Sequence, residues 1–383
     1  MIKSSRFKHQ YRKGYFYVSV FLLILGLIAT ISHLARVITF GGNNWGIGEW
    51  LINYDGGFVR RGLIGQILLS SKLTGTSLLL LIIFVQLILY SIILIYLIRI
   101  LKENRFSLPF VALICSPMGI NFVGWDKFVL IRKEFIGLVS LVILAQYIRG
   151  KSSQISLLWF FYALFILAIF SSEVNLSLVP GVIFLFWLNS STRSRGHFYR
   201  ELFTVVFLVS LSVLISIKYN GDKELANSIC QKITAVGLDP EKNCRGSVDV
   251  LGMSFSSMIN HLISSYPIYF IYLIYLFLAC LPMVFLKSDK LNLCWILFLF
   301  IGTVPLYLIA WDYGRWIFLF VLEITICLSV THVKVKPKNA FNHMITFLYS
   351  FLWGSGHGGD PLQNGWIGAM PTLTRNFLSI FYK

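Results

Sequence analysis

Apolar runs of roughly 20 residues recur along this chain, and arginine or lysine follows every second run. A helix of that length can cross about 30 Å of hydrocarbon. Hydrophobic residues make up 57% of the chain and charged residues only 13%, whereas about 25% charged residues is usual in soluble domains. The sequence therefore predicts an all-α, polytopic integral membrane helix bundle that forms a single domain over residues 1–383.

The runs divide the chain into about 10–11 membrane-spanning helices. The third run is short and contains Pro109, Pro117 and Gly119, so it is predicted to kink or to cross only in part. The tail, residues 347–366, is predicted to form either one more crossing or a surface helix. The predicted spans are 15–38, 77–98, 108–123, 135–148, 155–170, 176–188, 202–217, 267–286, 291–310 and 316–330.

The basic residues indicate orientation rather than a nucleic-acid partner. The net charge is +17, but the cations are scattered at the ends of apolar runs and form no continuous stripe. Five of them precede the first span, which by the positive-inside rule places the N-terminus in the cytoplasm. This orientation predicts a first outer loop at 39–76, with an interfacial helix at 63–71, and a long periplasmic loop at 218–266. The five are Lys3, Arg6, Lys8, Arg12 and Lys13.

The long loop carries two cysteines, Cys230 and Cys244, whereas the other four cysteines of the chain lie in apolar runs. Disulfides form in oxidising compartments such as the periplasm. The two loop cysteines are therefore predicted to form a disulfide if the loop is periplasmic. The alternative is two unpaired thiols.

Charged residues cluster at the predicted outer ends of the spans, beginning with the segment NYDGGFVRRGL at 53–63. Charges at the membrane boundary are costly unless they are solvated or paired, so spans that end together are expected to pool them in one pocket. The candidates for substrate binding are Arg60, Arg61, Asp126, Arg132, Lys133, Glu134, Asp312 and Arg315. The candidates for a catalytic general base are Asp55, Glu173 and Glu49.

Each of these charges also has a local interpretation. Asp312 and Arg315 are spaced for a salt bridge on one helix turn, and the segment 132–134 is placed to begin the fourth span. Glu173 is placed near the start of the sixth span. Glu323, in the middle of the tenth span, is expected either to pack against a partner on another helix or to form a site.

Several familiar site types are missing. The chain contains no GxxxxGK[ST], HExxH, paired CxxC or GxSxG motif, and its seven histidines are dispersed. The sequence therefore predicts no metal site and no cofactor.

Arginines and carboxylates at the outer boundary suit a lipid-linked pyrophosphate donor, whose anionic group lies at headgroup level while its tail lies between helices. Arginine or lysine can hold the phosphates, and a carboxylate can take the proton from a sugar hydroxyl. Aromatic side chains offer flat faces for sugar rings. The candidates for stacking are Trp45, Trp50, Tyr54, Trp125 and Trp311.

A series of short motifs resembles bacterial surface-polysaccharide membrane glycosyltransferases, most closely the O-antigen and capsule polymerases of the Wzy type. The motifs are NYDGGFVRRGL, IRKE at 131–134, SSEVN at 171–175, the two loop cysteines and WDYGRW at 311–316. The resemblance implies transfer of a glycan from undecaprenyl pyrophosphate onto a second lipid-linked repeat unit. It also implies the bacterial inner membrane, an active site that faces the periplasm, and a chain-length regulator protein as a partner.

Two alternatives stay open. The chain also resembles GT-C-type glycosyltransferases, which use a polyprenyl-phosphate monosaccharide and have an acid in the first outer loop before an interfacial helix, as Asp55 and residues 63–71 would provide. That resemblance implies a divalent cation. A transporter or flippase for lipid-linked sugars would instead use the same charges to line a vestibule.

Overall fold

The computed structural model describes residues 2–126, 128–150, 154–190, 195–251, 266–310, 312–335 and 343–358. Within these ranges helices are connected by turns and irregular segments, and two three-residue strands pair antiparallel, with Leu286 opposite Val335. Three predicted features lie outside the described residues: Trp311, residues 252–265 of the long loop, and residues 359–383 at the end of the tail. The prediction of an all-α, polytopic helical protein is confirmed.

Each predicted span overlaps one described helix or two helices in series. The helices are α1 (Ile2–Phe40), α2 (Gly46–Leu51), α3 (Gly62–Ser70), α4 (Gly75–Glu103), α5 (Leu108–Cys115), α6 (Phe122–Trp125), α7 (Glu134–Arg149), α8 (Ile155–Ser171), α9 (Val179–Ser190), α10 (Arg195–Lys218), α11 (Lys223–Ala235), α12 (Pro240–Asn243), α13 (Tyr266–Cys280), α14 (Leu293–Ile309), α15 (Tyr313–Ser329) and α16 (His343–Phe351). Two 3-10 helices, Glu173–Leu178 and Leu281–Phe285, precede α9 and follow α13, and the strands are β1 (Leu286–Ser288) and β2 (Val333–Val335).

The centre of the bundle consists of α5, α7 and α15, which are buried along almost their whole length. The surrounding helices keep large apolar side chains on the outside, such as Phe203 and Ile217 on α10, each 73% exposed. An apolar outer surface of this kind is typical of a protein that lies in a membrane. Among the described residues, four helices are long and apolar enough to span one by length and composition, and three apolar helices are shorter.

The third predicted span is broken. Helix α5 ends at Cys115, and the chain resumes a helix only at Phe122. Asn121 bridges the break, because its side-chain amide donates to the carbonyls of Leu22, at 3.3 Å, and Cys115, at 3.1 Å. The bond to Cys115 satisfies a carbonyl that an unwound segment inside a membrane would leave unpaired, and the bond to Leu22 joins the break to α1.

The bundle has two ends with different side chains. Glu103 at the end of α4 forms ion pairs with Arg99 and Arg149 at one end, where β1 and β2 also lie. We call the other end, where α2, α3, α11 and α12 lie, the loop end. The short helix α16 leads the tail back toward the loop end, where His357 contacts Asp126.

Candidate functional site

Charged side chains from four separate segments meet at the loop end. They come from the α2–α3 region, the start of α7, the 3-10 helix before α9, and the start of α15. Arg61 interacts electrostatically with Glu49 and Asp312, and Arg315 with Arg132, Glu49 and Arg61, so the segments form one group. We call this group the charged cluster; its members are Glu49, Arg60, Arg61, Arg132, Lys133, Glu134, Glu173, Asp312 and Arg315.

Glu173 joins the two neighbouring arginines. Its Oε1 accepts from Arg60 Nη1 at 2.9 Å, and its Oε2 accepts from Arg61 Nε at 2.7 Å. Arg61 Nη2 also contacts Oε1. Glu173 is therefore more than a residue at the start of a span, because its carboxylate bonds to two guanidinium groups.

Arg61 has an unusual backbone conformation directly before α3. Its φ is 67°, in the left-handed region that residues other than glycine seldom adopt. The carbonyl of Arg61 accepts from Lys133 Nζ at 2.8 Å. Backbone strain of this kind persists where surrounding contacts over-determine the conformation, and it is concentrated at functional sites.

Glu49 and Arg132 form a second pair that is almost completely buried, with side chains 2% and 5% exposed. Arg132 Nη1 donates to Glu49 Oε2 at 2.9 Å, and Arg132 Nε donates to the carbonyl of Phe128 at 2.6 Å. Burial by itself raises the pKa of Glu49, but the charges of Arg132 and Arg315 outweigh it, and the pKa lies below its ordinary value. Glu49 is thus an ionised counterion at the centre of the cluster.

Arg315 links the start of α15 to the start of α7. Its Nη1 donates to Asp312 Oδ2 at 2.5 Å, and its Nη2 contacts Glu134 Oε1. Its guanidinium carbon also lies 4.9 Å from the centre of the Trp316 ring, a cation–π distance. The local salt bridge with Asp312 exists, but it accounts for only part of the environment of Arg315.

Lys133 is fully buried inside this group of arginines. Burial lowers the pKa of Lys133 to about 7, and the neighbouring Arg61 acts in the same direction, whereas Glu49 and Glu173 oppose it. The lysine therefore gains or loses its charge close to neutral pH.

Asp126 lies beside the cluster and binds a residue that the sequence reasoning missed. Its Oδ2 accepts from the backbone N–H of His357 at 2.7 Å and lies 2.8 Å from the His357 Nδ1. The two residues are 231 positions apart, and the only sequence signal was a single histidine among glycines in the tail. His357 also accepts from the backbone N–H of Gly314 at 3.0 Å, which places it next to Arg315.

Asp55 lies outside the charged cluster. Its side chain is 46% exposed and forms an ion pair with Lys232 of α11, at 3.2 Å. Of the three carboxylates proposed as general base, the structure therefore brings two, Glu49 and Glu173, into the cluster and leaves Asp55 on the surface.

The long loop packs over the α2–α3 region. Cys230 and Cys244 form a disulfide, with Cα atoms 5.8 Å apart. Beside it, Gly246 has a φ of 108°, and a Cβ there would lie 3.1 Å from the ring of Trp45. The disulfide links two positions within the loop, and the close contact between Gly246 and Trp45 places the loop against the segment that carries Glu49.

Known proteins offer no guide to this site. Within the part of the chain that the structure describes, no three histidine, cysteine or acidic side chains are grouped to hold a metal ion. Comparison with protein-family models, curated proteins and solved structures found no match for the chain. Any functional conclusion therefore rests on the geometry of the loop end.

Proposed function

We propose that this protein is a membrane-embedded glycosyltransferase that polymerises lipid-linked oligosaccharide repeat units, as O-antigen polymerases do. The observation that carries the proposal is the charged cluster, in which five cations from three segments share one site: Arg132, Lys133 and Arg315 are buried, and Arg60 and Arg61 are partly exposed. Arginine binds phosphate oxygens through two parallel N–H bonds. A pyrophosphate at headgroup level would find several such donors at the ends of these helices.

The ion pairs of the cluster supply a way to bind and release such a donor. Arg60 and Arg61 are 14% and 19% exposed at the side chain, so a ligand can reach them from outside. Phosphate oxygens would compete with Glu173 for the same N–H groups. The arginines then neutralise the pyrophosphate as it leaves the sugar, which is the main electrostatic demand of the reaction.

The loop end is assigned to the periplasm under this proposal. The first helix begins with basic residues that favour the cytoplasm, and the disulfide at the loop end suits an oxidising compartment. The protein would then lie in the bacterial inner membrane and act on undecaprenyl-pyrophosphate-linked glycans, with a chain-length regulator protein as a partner.

The experiment is deletion of the gene followed by separation of the surface polysaccharide on a gel. We expect the deletion strain to keep single repeat units and lose longer chains, and we expect Arg61→Ala and Arg315→Ala to fail to restore them. Arg99→Ala is the matched control, because Arg99 also pairs with a carboxylate but lies at the opposite end with 60% of its side chain exposed.

The glycans of the deletion strain also distinguish the two alternative functions. Loss of one decorating sugar would select a transferase that uses a polyprenyl-phosphate monosaccharide. Unchanged glycans that accumulate on the wrong side of the membrane would select a flippase. A normal ladder in the deletion strain would overturn the proposed function.

A further inference from the structure

The structure leaves the proposed reaction without an available general base among the predicted carboxylates. Glu49 is held by Arg132, and Glu173 has both oxygens bound to arginines. Asp55 lies on the surface against Lys232. A carboxylate whose lone pairs are occupied by guanidinium groups is a poor proton acceptor, so the base should be sought elsewhere at the loop end.

We propose that His357 is the general base of the transfer reaction and that Asp126 orients it. This inference rests on the proposed function and names a catalytic residue for it. An ionised carboxylate only accepts hydrogen bonds, so the contact between Asp126 Oδ2 and His357 Nδ1, at 2.8 Å, places the proton on Nδ1. Nε2 then carries the lone pair, and no described residue bonds to it.

Asp126 is itself fixed. Its side chain is 1% exposed, and its Oδ1 accepts from the backbone N–H of Phe128 at 2.9 Å. Burial raises the pKa of Asp126, but His357 and these backbone donors lower it below its ordinary value. A buried, ionised carboxylate that holds one imidazole nitrogen orients the ring and stabilises the imidazolium that forms when the other nitrogen takes a proton.

Asp126 and His357 lie next to the arginines that would hold the donor. The carbonyl of His357 accepts from Gly314, the residue before Arg315. The ring of Phe128 lies 4.6 Å from the imidazole, centre to centre, and the Phe128 carbonyl accepts from Arg132. The imidazole is 23% exposed at the side chain, so part of the ring is open to an acceptor sugar.

The transfer of the sugar needs no reagent besides the donor and the acceptor. His357 Nε2 takes the proton of an acceptor hydroxyl while that oxygen forms a bond to the anomeric carbon of the donor sugar. The bond between that carbon and the pyrophosphate oxygen breaks, and its electron pair leaves with the pyrophosphate against the arginines. The imidazolium then passes its proton to water or to the departing phosphate.

A second interpretation gives His357 a purely structural role as the residue that ties the tail to the loop end. Two of its three hydrogen bonds, the one from Gly314 and the one through its own N–H, use backbone atoms of His357. These contacts can persist in His357→Ala, so the substitution removes the imidazole more selectively than it removes the tie.

The experiment uses the full chain reconstituted in lipid nanodiscs, with a lipid-linked repeat unit as donor and acceptor. We expect His357→Ala to slow transfer by about 100-fold or more, and we expect added imidazole to restore part of the rate. Asp126→Asn should also slow transfer without rescue, because its imidazole is present but poorly oriented. His332→Ala is the matched control, since His332 is exposed near β2 at the opposite end, and it should change the rate by less than about twofold.

Full activity in His357→Ala would overturn the inference. A loss that imidazole does not restore would also overturn it, since it would assign His357 to tying down the tail. If the wild-type protein transfers no sugar at all, the proposed function fails and the base fails with it. If the wild type transfers a single sugar and His357→Ala shows rescue, only the polymerase assignment is wrong.

Discussion

Replacing Glu173 by glutamine tests whether the arginines of the charged cluster form an anion-binding site that Glu173 occupies in the empty protein. The substitution keeps the shape of the side chain but removes the charge that two guanidinium groups share. Removing one partner of a buried ion pair costs about 3–5 kcal/mol, because it leaves an uncompensated charge. Since Glu173, Arg60 and Arg61 retain 10%, 14% and 19% exposure, we expect the lower limit, about 3 kcal/mol.

The chain contains a matched control for this substitution. Glu103 also lies between two arginines, Arg99 at 2.9 Å and Arg149. Its side chain is 38% exposed and that of Arg99 is 60% exposed, and an exposed ion pair contributes only about 0–1 kcal/mol. The loss of unfolding free energy in Glu103→Gln should therefore be smaller than that in Glu173→Gln, by at least about 2 kcal/mol.

Two measurements on the purified proteins check this reasoning. Chemical unfolding, followed by tryptophan fluorescence, gives the difference in stability between the variants. Binding of a polyprenyl pyrophosphate gives a second, opposite expectation. Because Glu173→Gln frees N–H groups that phosphate can use, the variant should bind the ligand about tenfold more tightly, a change of about 1.4 kcal/mol.

Either of two results would refute the argument. Equal losses of stability in Glu173→Gln and Glu103→Gln would show that burial does not distinguish the two ends. Weaker ligand binding by a folded Glu173→Gln would show that Glu173 does not compete with phosphate for the arginines.

The remaining predictions concern other parts of the chain. Lys133 loses its charge as the pH rises through about 7, so affinity for an anionic donor should fall between about pH 6 and pH 8.5; Lys133→Arg should remove this dependence in a binding titration. Replacing both Cys230 and Cys244 by serine opens a loop of sequence separation 14 and should lower stability by about 3 kcal/mol; unchanged unfolding would contradict this. Glu323 Oε1 accepts from Gly181 N–H at 2.7 Å, so Glu323→Gln should unfold like the wild type, whereas Glu323→Leu should lose about 1–3 kcal/mol.

The helices could be predicted from the sequence because each depends on a local pattern. An apolar run that ends at charged residues defines a span without reference to the rest of the chain. The predicted fourth span, 135–148, differs by one residue at each end from helix Glu134–Arg149. A kink or a partial crossing of the third span was predicted because proline and glycine act on their own backbone, and Asn121 shows which bond satisfies the Cys115 carbonyl at the observed break.

The pairing of charges between distant segments could not be predicted, since it depends on which helix ends meet. Glu49 and Arg132 are 83 positions apart, and Glu173 and Arg61 are 112 apart. The sequence identified these residues as candidates, because charges at the ends of spans need partners. It gave no means to choose between a local partner and a distant one, as Arg315 shows by contacting both Asp312 and Glu134.

The same need for partners explains why a site proposed to bind an anion contains so many carboxylates. Buried cations without counterions would destabilise the empty protein, and the cluster balances its five cations with four carboxylates, Glu49, Glu134, Glu173 and Asp312. With Lys133 uncharged, the empty cluster is neutral; with Lys133 protonated, it has one excess positive charge. An anionic pyrophosphate near Lys133 favours the protonated form. Donor binding is therefore expected to take up a proton, and the bound state is the one in which the cluster is most positive.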